Sequence, residues 1–279
     1  MNHIVATLIF GLAASIFWGS GDFSGGLASR HVNASSVVTG AYAFGFCFLV
    51  ILALIWREPF PVPLDLLWGG LAGIVGGLGL LSFYSALSTG KMGIIAPVSA
   101  VLTAAIPVLF SIFTAGLPTL LQLGGFVVAL LAITFISRPE RTSGRPKGLG
   151  LALLAGACFG SFFIIISRVH PGATFWPLSM ARFISVLMLL ILMRFRNLPV
   201  LPGKKILPLV ALAGILDAAG NVFFVLAAHS GRLDVASILS SLYPAATVLL
   251  AAFILRERVT RIQGVGVFLV LLAIPMISA

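Results

Sequence analysis

The sequence predicts an all-α integral membrane protein of ten transmembrane helices, built as two inverted five-helix repeats. Three observations predict it: an apolar composition, ten apolar windows of membrane-crossing length, and a second half that repeats the first. Of 279 residues, 60% are hydrophobic and only 9% charged, where a soluble domain carries about a quarter charged residues. A surface that apolar aggregates in water, so the solvent is lipid. The repeat emerges when the chain is shifted by 141 positions. From Gly73 to the end it then aligns without a gap: Gly73 with Gly214, Gly79 with Gly220, Phe83 with Phe224, Gly90 with Gly231, Ser99 with Ser240, Thr119 with Thr260, and Gln122 with Gln263. Further back, Gly19-Ser20 falls on Gly160-Ser161.

In chain order the apolar windows fall at 4–25, 34–56, 64–87, 93–115, 119–137, 148–168, 174–195, 206–229, 234–255 and 261–278. Each holds about 20 residues, the length a helix needs to cross a bilayer. The most polar stretch, 138–147, contains four of the basic residues and separates a first repeat, 1–137, from a second, 148–279. An odd number of spans per half starts the second half on the opposite side of the membrane, so the repeats are inverted. The first segment lacks a basic n-region and a cleavage site, so it is expected to remain as a membrane helix.

Charge orients the bundle. The loops after the odd-numbered spans hold thirteen Lys and Arg, the even-numbered loops only Arg57, Arg168 and Arg232, and Arg182 lies inside a span. Basic loops face the cytoplasm, which puts the odd loops inside and both termini outside. The basic excess of 17 Lys+Arg over 7 Asp+Glu is thereby a membrane feature, with the bilayer as partner and no role for nucleic acid. Cys47 and Cys158 lie within apolar runs and read as inert thiols. No phosphate-binding Gly-rich loop is present in the sequence, which argues against ATP-driven pumping by this chain alone. No metal-ligand spacing and no catalytic triad is evident, so no metal, cofactor or enzymatic activity is expected.

The remaining polar and kinking residues are the functional candidates. Gly69, Gly73 and Gly77 lie four apart on one face, which packs tightly against another helix or, less commonly, touches substrate. Pro97 and Pro107 interrupt span four, and Pro244 interrupts the equivalent span nine. Each frees a carbonyl, either as a plain kink or where the helix lines a cavity. Hydroxyls surround them: Ser99 and Thr103 in span four, Ser237, Ser240, Ser241 and Tyr243 in span nine. Trp18, Tyr42, Tyr84, Asn221 and Phe224 sit near mid-span and suit a pocket for a small amphipathic or aromatic solute. The ionisable residues within spans are Asp22, Arg182, Asp217 and His229, and such groups face a bundle interior or water. Asp22 and Asp217 would hold a cationic group or a coupling proton, with Asp22 alternatively reaching interfacial water. Arg182 would meet a substrate carboxylate, pair with a protein carboxylate, or snorkel.

The repeat unit resembles the EamA-type transporters of the drug/metabolite transporter superfamily over essentially the whole chain. The resemblance rests on Phe17-Trp18-Gly19-Ser20, on 177–183 from Pro177 to Phe183, on 223–227, and most strongly on 256–266, where Glu257, Gln263 and Gly266 stand at fixed spacing. The first repeat departs from the pattern at Gly116, where the second has Glu257. Overall similarity and the short basic loops fit the branch whose members export aromatic and other amino acids. The resemblance implies a bacterial inner-membrane exporter, multi-pass and monomeric, with spans three, four, eight and nine around a central cavity together with one, two, six and seven. Spans five and ten lie outside it. Trp18, Tyr42, Tyr84 and Phe224 would then give apolar contact, and Ser99, Asn221, Ser240 and Ser241 would hydrogen-bond the polar end of an amino acid. An exporter of another metabolite or a cationic drug, a membrane enzyme and a channel are the competing readings. The inverted duplication favours transport.

Overall fold

The computed structural model describes residues 3–89, 92–136, 148–199, 203–254 and 260–278. The linker at 138–147, the side chain of Pro97 and the 256–259 part of the strongest motif lie outside the described residues. The described chain is all helical. In order the helices are α1 (His3–Ser29), α2 (Ala34–Ile55), α3 (Pro63–Thr89), α4 (Met92–Ala115), α5 (Leu120–Ile136), α6 (Leu149–Ile166), α7 (Phe175–Phe195), α8 (Leu207–Ser230), α9 (Leu233–Ser240), α10 (Tyr243–Ile254) and α11 (Arg261–Ser278). Seven of them, α1 to α4 and α6 to α8, are long and apolar enough to cross a membrane, while α5 and α11 are shorter apolar helices. Large apolar side chains point outward without protein cover, among them Phe113, Leu120, Phe195 and Phe253, each more than 80% exposed. Lipid is the only solvent that leaves such a surface stable.

Local chemistry sets the helix ends. Thr119 and Gln122 exchange side-chain to backbone hydrogen bonds at 3.1 and 3.2 Å and start α5. Thr260 and Gln263 do the same at 2.8 and 3.3 Å ahead of α11. The repeated Thr-x-x-Gln is therefore a capping box used twice. At the far ends of α2 and α7, Arg57 and Asn197 both adopt φ 52°. The N–H of Glu58 then closes on the Ala53 carbonyl at 2.9 Å, and that of Leu198 on Met193 at 3.0 Å. These are left-handed helix stops of one design.

The expected single span at 234–255 is instead two helices, with Ser241 and Leu242 in a turn between α9 and α10. Pro244 is the second residue of α10. There its missing N–H costs little, and the N–H that would have bonded the Ser240 carbonyl does not exist. Pro107 behaves differently from expectation, because α4 runs unbroken through positions 97 and 107.

Packing respects the repeat. The most extensive interfaces are α1 with α8 and its sequence equivalent α6 with α3, α2 with α8 and its equivalent α7 with α3, α4 with α6 and its equivalent α1 with α9 and α10, and the self-paired α2 with α7 and α5 with α11. Small residues make these contacts close. Gly73 lies on the Ala181 carbonyl and Gly214 on the Ala41 carbonyl, each leaving no room for a Cβ. Gly69 packs on Pro177 and Gly77 on Ser185 and Met188, so the three-glycine face of α3 is a packing face against α7. Helices α5 and α11 pack chiefly on one another, away from the other helices.

Candidate functional site

A central cavity of about 50 Å³ lies among the longest helices. α1 contributes Trp18 and Asp22, α2 Tyr42, α3 Gly76 and Leu80, and α4 Thr103. α6 contributes Phe159, Phe162 and Phe163, α7 Arg182, α8 Asp217 and Asn221, and α10 Tyr243. The wall is apolar with few polar groups, and its volume holds only a handful of water molecules.

Charge is concentrated on one side of the cavity. Arg182 Nη2 donates to Asp217 Oδ2 at 2.5 Å, with Arg182 only 4% exposed. The guanidinium carbon lies 4.2 Å from the centroid of the Tyr42 ring, close enough for a cation–π contact that holds it flat. Tyr42 in turn donates its hydroxyl to the Gly76 carbonyl at 3.0 Å. The Asn221 amide donates to the Asp217 carbonyl at 2.6 Å, which bends that amide back along α8. Asp22 faces the same cavity, half-buried, with no ion pair among the described residues. Because α1 continues to Ser29, Asp22 is about two turns from the helix end. Of the three readings open for Arg182, pairing with a protein carboxylate is the one found.

Aromatic rings form the opposite wall. Trp18 stacks on Phe163 at 5.3 Å, and Phe163 on Phe224 at 4.0 Å. Gly220 lies under the Trp18 ring, as its repeat partner Gly79 lies under Phe159. Phe224 thus backs the wall without lining the cavity. Tyr84 is 1% exposed, with its hydroxyl against Gly25 on α1, also behind the lining.

The serines are placed deeper than the sequence suggests. Ser99, Ser240 and Ser241 are fully buried, do not line the cavity, and carry hydroxyls with no hydrogen-bond partner among the described residues, as does Ser237. The Tyr243 hydroxyl faces Ser99 and Thr103 without closing a bond of ordinary geometry. Unsatisfied buried hydroxyls are rare and costly, and here they collect along α4 and the α9–α10 break.

Residues that sequence reading overlooked tie one end of the bundle together. Glu58, in the loop after α2, accepts the N–H groups of Thr174, Phe175 (3.0 Å) and Trp176 (2.9 Å) at the start of α7. The Trp176 indole returns a bond to the Glu58 carbonyl at 3.1 Å. Asp65, 2% exposed, accepts both the backbone N–H of His170 at 3.0 Å and pairs with its ring at 2.9 Å. Arg232 pairs with the buried Asp234 at 2.8 Å and donates to the Gly116 carbonyl at 2.9 Å past the end of α4. The Asp234 carboxylate pushes the Arg232 pKa above its ordinary value. All three clamps join even-numbered loops. Phe162, Phe163, Gly76 and Leu80 also line the cavity, beside Thr103, one of the hydroxyls read around the prolines; only scarcity, for Glu58 and Asp65 among seven acidic residues, offered a signal.

A bundle of apolar helices, two similar halves and a small charged cavity at their meeting place define a multi-pass membrane protein with a solute-sized site. The chain belongs to the EamA-like transporter family, whose model matches it twice, over residues 5–138 and 146–279. Membership makes it a membrane transporter of small molecules. The chain is also 30% identical over 93 residues to an uncharacterised protein of Methanocaldococcus jannaschii, covering 33% of this chain and 67% of that one. A solved crystal structure superposes with a TM-score of 0.76 over 98% of this chain and 96% of that chain, at 15% identity. That likeness concerns the fold alone.

Proposed function

We propose that this protein is a secondary transporter exporting amino acids, aromatic ones included, across a bacterial inner membrane by alternating access. It would work as a monomer of ten spans in two inverted repeats, without cofactor, metal or enzymatic chemistry. The α9–α10 pair would count as one broken span, and the odd loops would face the cytoplasm. The exchange of helix contacts under the 141-residue shift supports the two-repeat reading, and the odd span count supports inversion.

The observation that carries the substrate reading is the Arg182–Asp217 pair inside an aromatic-walled cavity. A buried pair cannot be broken without replacement, because either charge alone is costly. A zwitterion replaces both halves at once: its carboxylate takes Arg182, and its ammonium takes Asp217 and the unpaired Asp22. One pair within the protein gives way to two between protein and substrate, so neither buried charge is left alone and the entering molecule adds no net charge. Trp18, Phe159 and Phe163 then accept the side chain. An aromatic amino acid is larger than the present cavity, so binding requires widening. The α9–α10 turn beside Tyr243 is the natural hinge, and the unsatisfied hydroxyls of Ser99, Ser240 and Ser241 would gain partners as water or substrate enters.

Two carboxylates against one guanidinium also suit a simple cation, which is the second reading. Flux of labelled Phe, Trp, Thr and Met into liposomes containing only this protein tests the proposal, with an organic cation in parallel. Saturable amino-acid flux supports it. Cation flux without amino-acid flux replaces it with the second reading.

A further inference from the structure

The break between α9 and α10 releases backbone oxygens inside the bundle. The Ser241 N–H bonds the Ser237 carbonyl at 2.9 Å and closes α9. Pro244 offers no N–H to the Ser240 carbonyl, and the Ala245 N–H turns to the Leu242 carbonyl at 2.9 Å rather than to Ser241. The Ser240 and Ser241 carbonyls are thereby freed at a helix C-terminus, which carries partial negative charge. In the other half Thr103 stands where Pro244 does, and α4 runs through unbroken.

Side chains add oxygens at the same place. Ser237, Ser240 and Ser241 are fully buried, Tyr243 is 4% exposed, and none of their hydroxyls has a hydrogen-bond partner among the described residues. The Tyr243 hydroxyl faces α4 at Thr103 and at Ser99, which is itself fully buried and unpartnered. Ser99 and Ser240 are repeat equivalents, and Tyr243 corresponds to Leu102, within one turn of Ser99. The break therefore meets α4 near the point where the two equivalent segments cross. Neutral hydroxyls and freed carbonyls are the ligands that a broken membrane helix offers a hard monovalent cation. No carboxylate, thiol or imidazole stands among them, as a divalent or transition metal would require.

The adjoining cavity also lacks a positive charge. Its lining holds the carboxylates of Asp22 and Asp217 against the guanidinium of Arg182, one negative charge in excess, and a zwitterion adds none. Asp22 lines that cavity together with Tyr243 and Thr103. A cation held behind Tyr243 therefore faces the carboxylate that has no ion pair among the described residues.

We infer that the α9–α10 break binds Na+ through the Ser240 and Ser241 carbonyls and the hydroxyls of Ser99, Ser240, Ser241 and Tyr243, with Asp22 as counter-charge. The bound ion ties α4, α9 and α10 together at one point, so occupancy stabilises this arrangement of the two halves.

Thermal unfolding of the full chain in phosphatidylcholine nanodiscs tests this, with NaCl replacing choline chloride at constant ionic strength and no amino acid present. Tm should rise with Na+ and saturate. Ser240→Ala/Ser241→Ala should weaken the apparent Na+ affinity about tenfold. Its Tm in choline should stay at or above the unmodified value, because the lost hydroxyls have no donor or acceptor to leave behind. Asp22→Asn should weaken the response as well, whereas Thr134→Ala, exposed on α5, should leave it intact. A proton on Asp22 would supply the same charge, and Tm would then ignore Na+. No saturable rise, a response undiminished in the double variant or in Asp22→Asn, or an equal loss in Thr134→Ala overturns the inference. A Na+-dependent rise without amino-acid flux in liposomes supports the ion site and overturns the substrate reading alone.

Discussion

Arg182 lies 4.2 Å from the ring of Tyr42, and these two are the residues that the repeat places opposite one another. Gly73 packs on Ala181 and Gly214 on Ala41, so the residue after each alanine, Arg182 and Tyr42, is equivalent. A contact between equivalent positions must lie close to the axis relating the halves. There the sequence has placed a cation in one half and an aromatic ring in the other, so asymmetry is greatest where the halves meet.

Removing one member of the central pair should cost more than removing both. Arg182→Gln leaves Asp217 buried without its partner and should lower stability by about 3–5 kcal/mol. Arg182→Leu combined with Asp217→Leu should recover most of that loss yet remain inactive in liposome flux. Thermal unfolding and flux on the three proteins separate structure from transport, and a fully active double variant would remove the pair from the substrate site.

Asp22 should matter for coupling more than for folding, since no ion pair among the described residues depends on it. Asp22→Asn is expected to unfold within about 1 kcal/mol of the unmodified protein and to transport without responding to a pH gradient. Flux measured with and without the gradient checks this. A gradient that drives both proteins equally assigns the proton elsewhere.

The Glu58 clamp should hold one end of the bundle shut. Glu58→Ala removes the acceptor for three N–H groups at the start of α7 and should destabilise by about 1–2 kcal/mol. Labelling of a cysteine introduced at Ser179, 3% exposed near the start of α7, by an impermeant reagent should accelerate at the same time. Unchanged labelling would make the clamp a helix cap and nothing more.

The glycine contacts predict steric failure at defined places. Gly73→Ala and Gly214→Ala each drive a Cβ into the backbone of the facing helix and should cost about 1–3 kcal/mol. Gly150→Ala, where a Cβ meets nothing within 4 Å, should be harmless by the same unfolding measurement.

Much of the scaffold was readable from periodicity and local chemistry. The Thr-x-x-Gln repeats became capping boxes, the three-glycine face became the α3–α7 contact, and Trp18, Tyr42, Asp22, Arg182, Asp217, Asn221 and Tyr243 all line one cavity. Ser99, Ser240 and Ser241 were grouped with them only because they are polar and near a proline. In three dimensions they are buried behind the cavity lining, a placement that spacing from Pro97 or Pro244 does not determine. Phe162 and Phe163 carried no signal among 22 phenylalanines, and they form the wall because α6 sets Phe163 on Trp18 and Phe162 on Gly76.

Composition, apolar span length and self-similarity were enough to establish a duplicated helical membrane protein, because lipid forces every backbone polar group into helices and so ties hydropathy directly to architecture. Which charges meet was not decided at that level. Arg182 reaches Asp217 from 35 positions away, and Glu58 reaches α7 across more than a hundred. Such pairings depend on how two helices rotate and slide against each other, and close glycine packing, visible only in the folded bundle, sets that rotation.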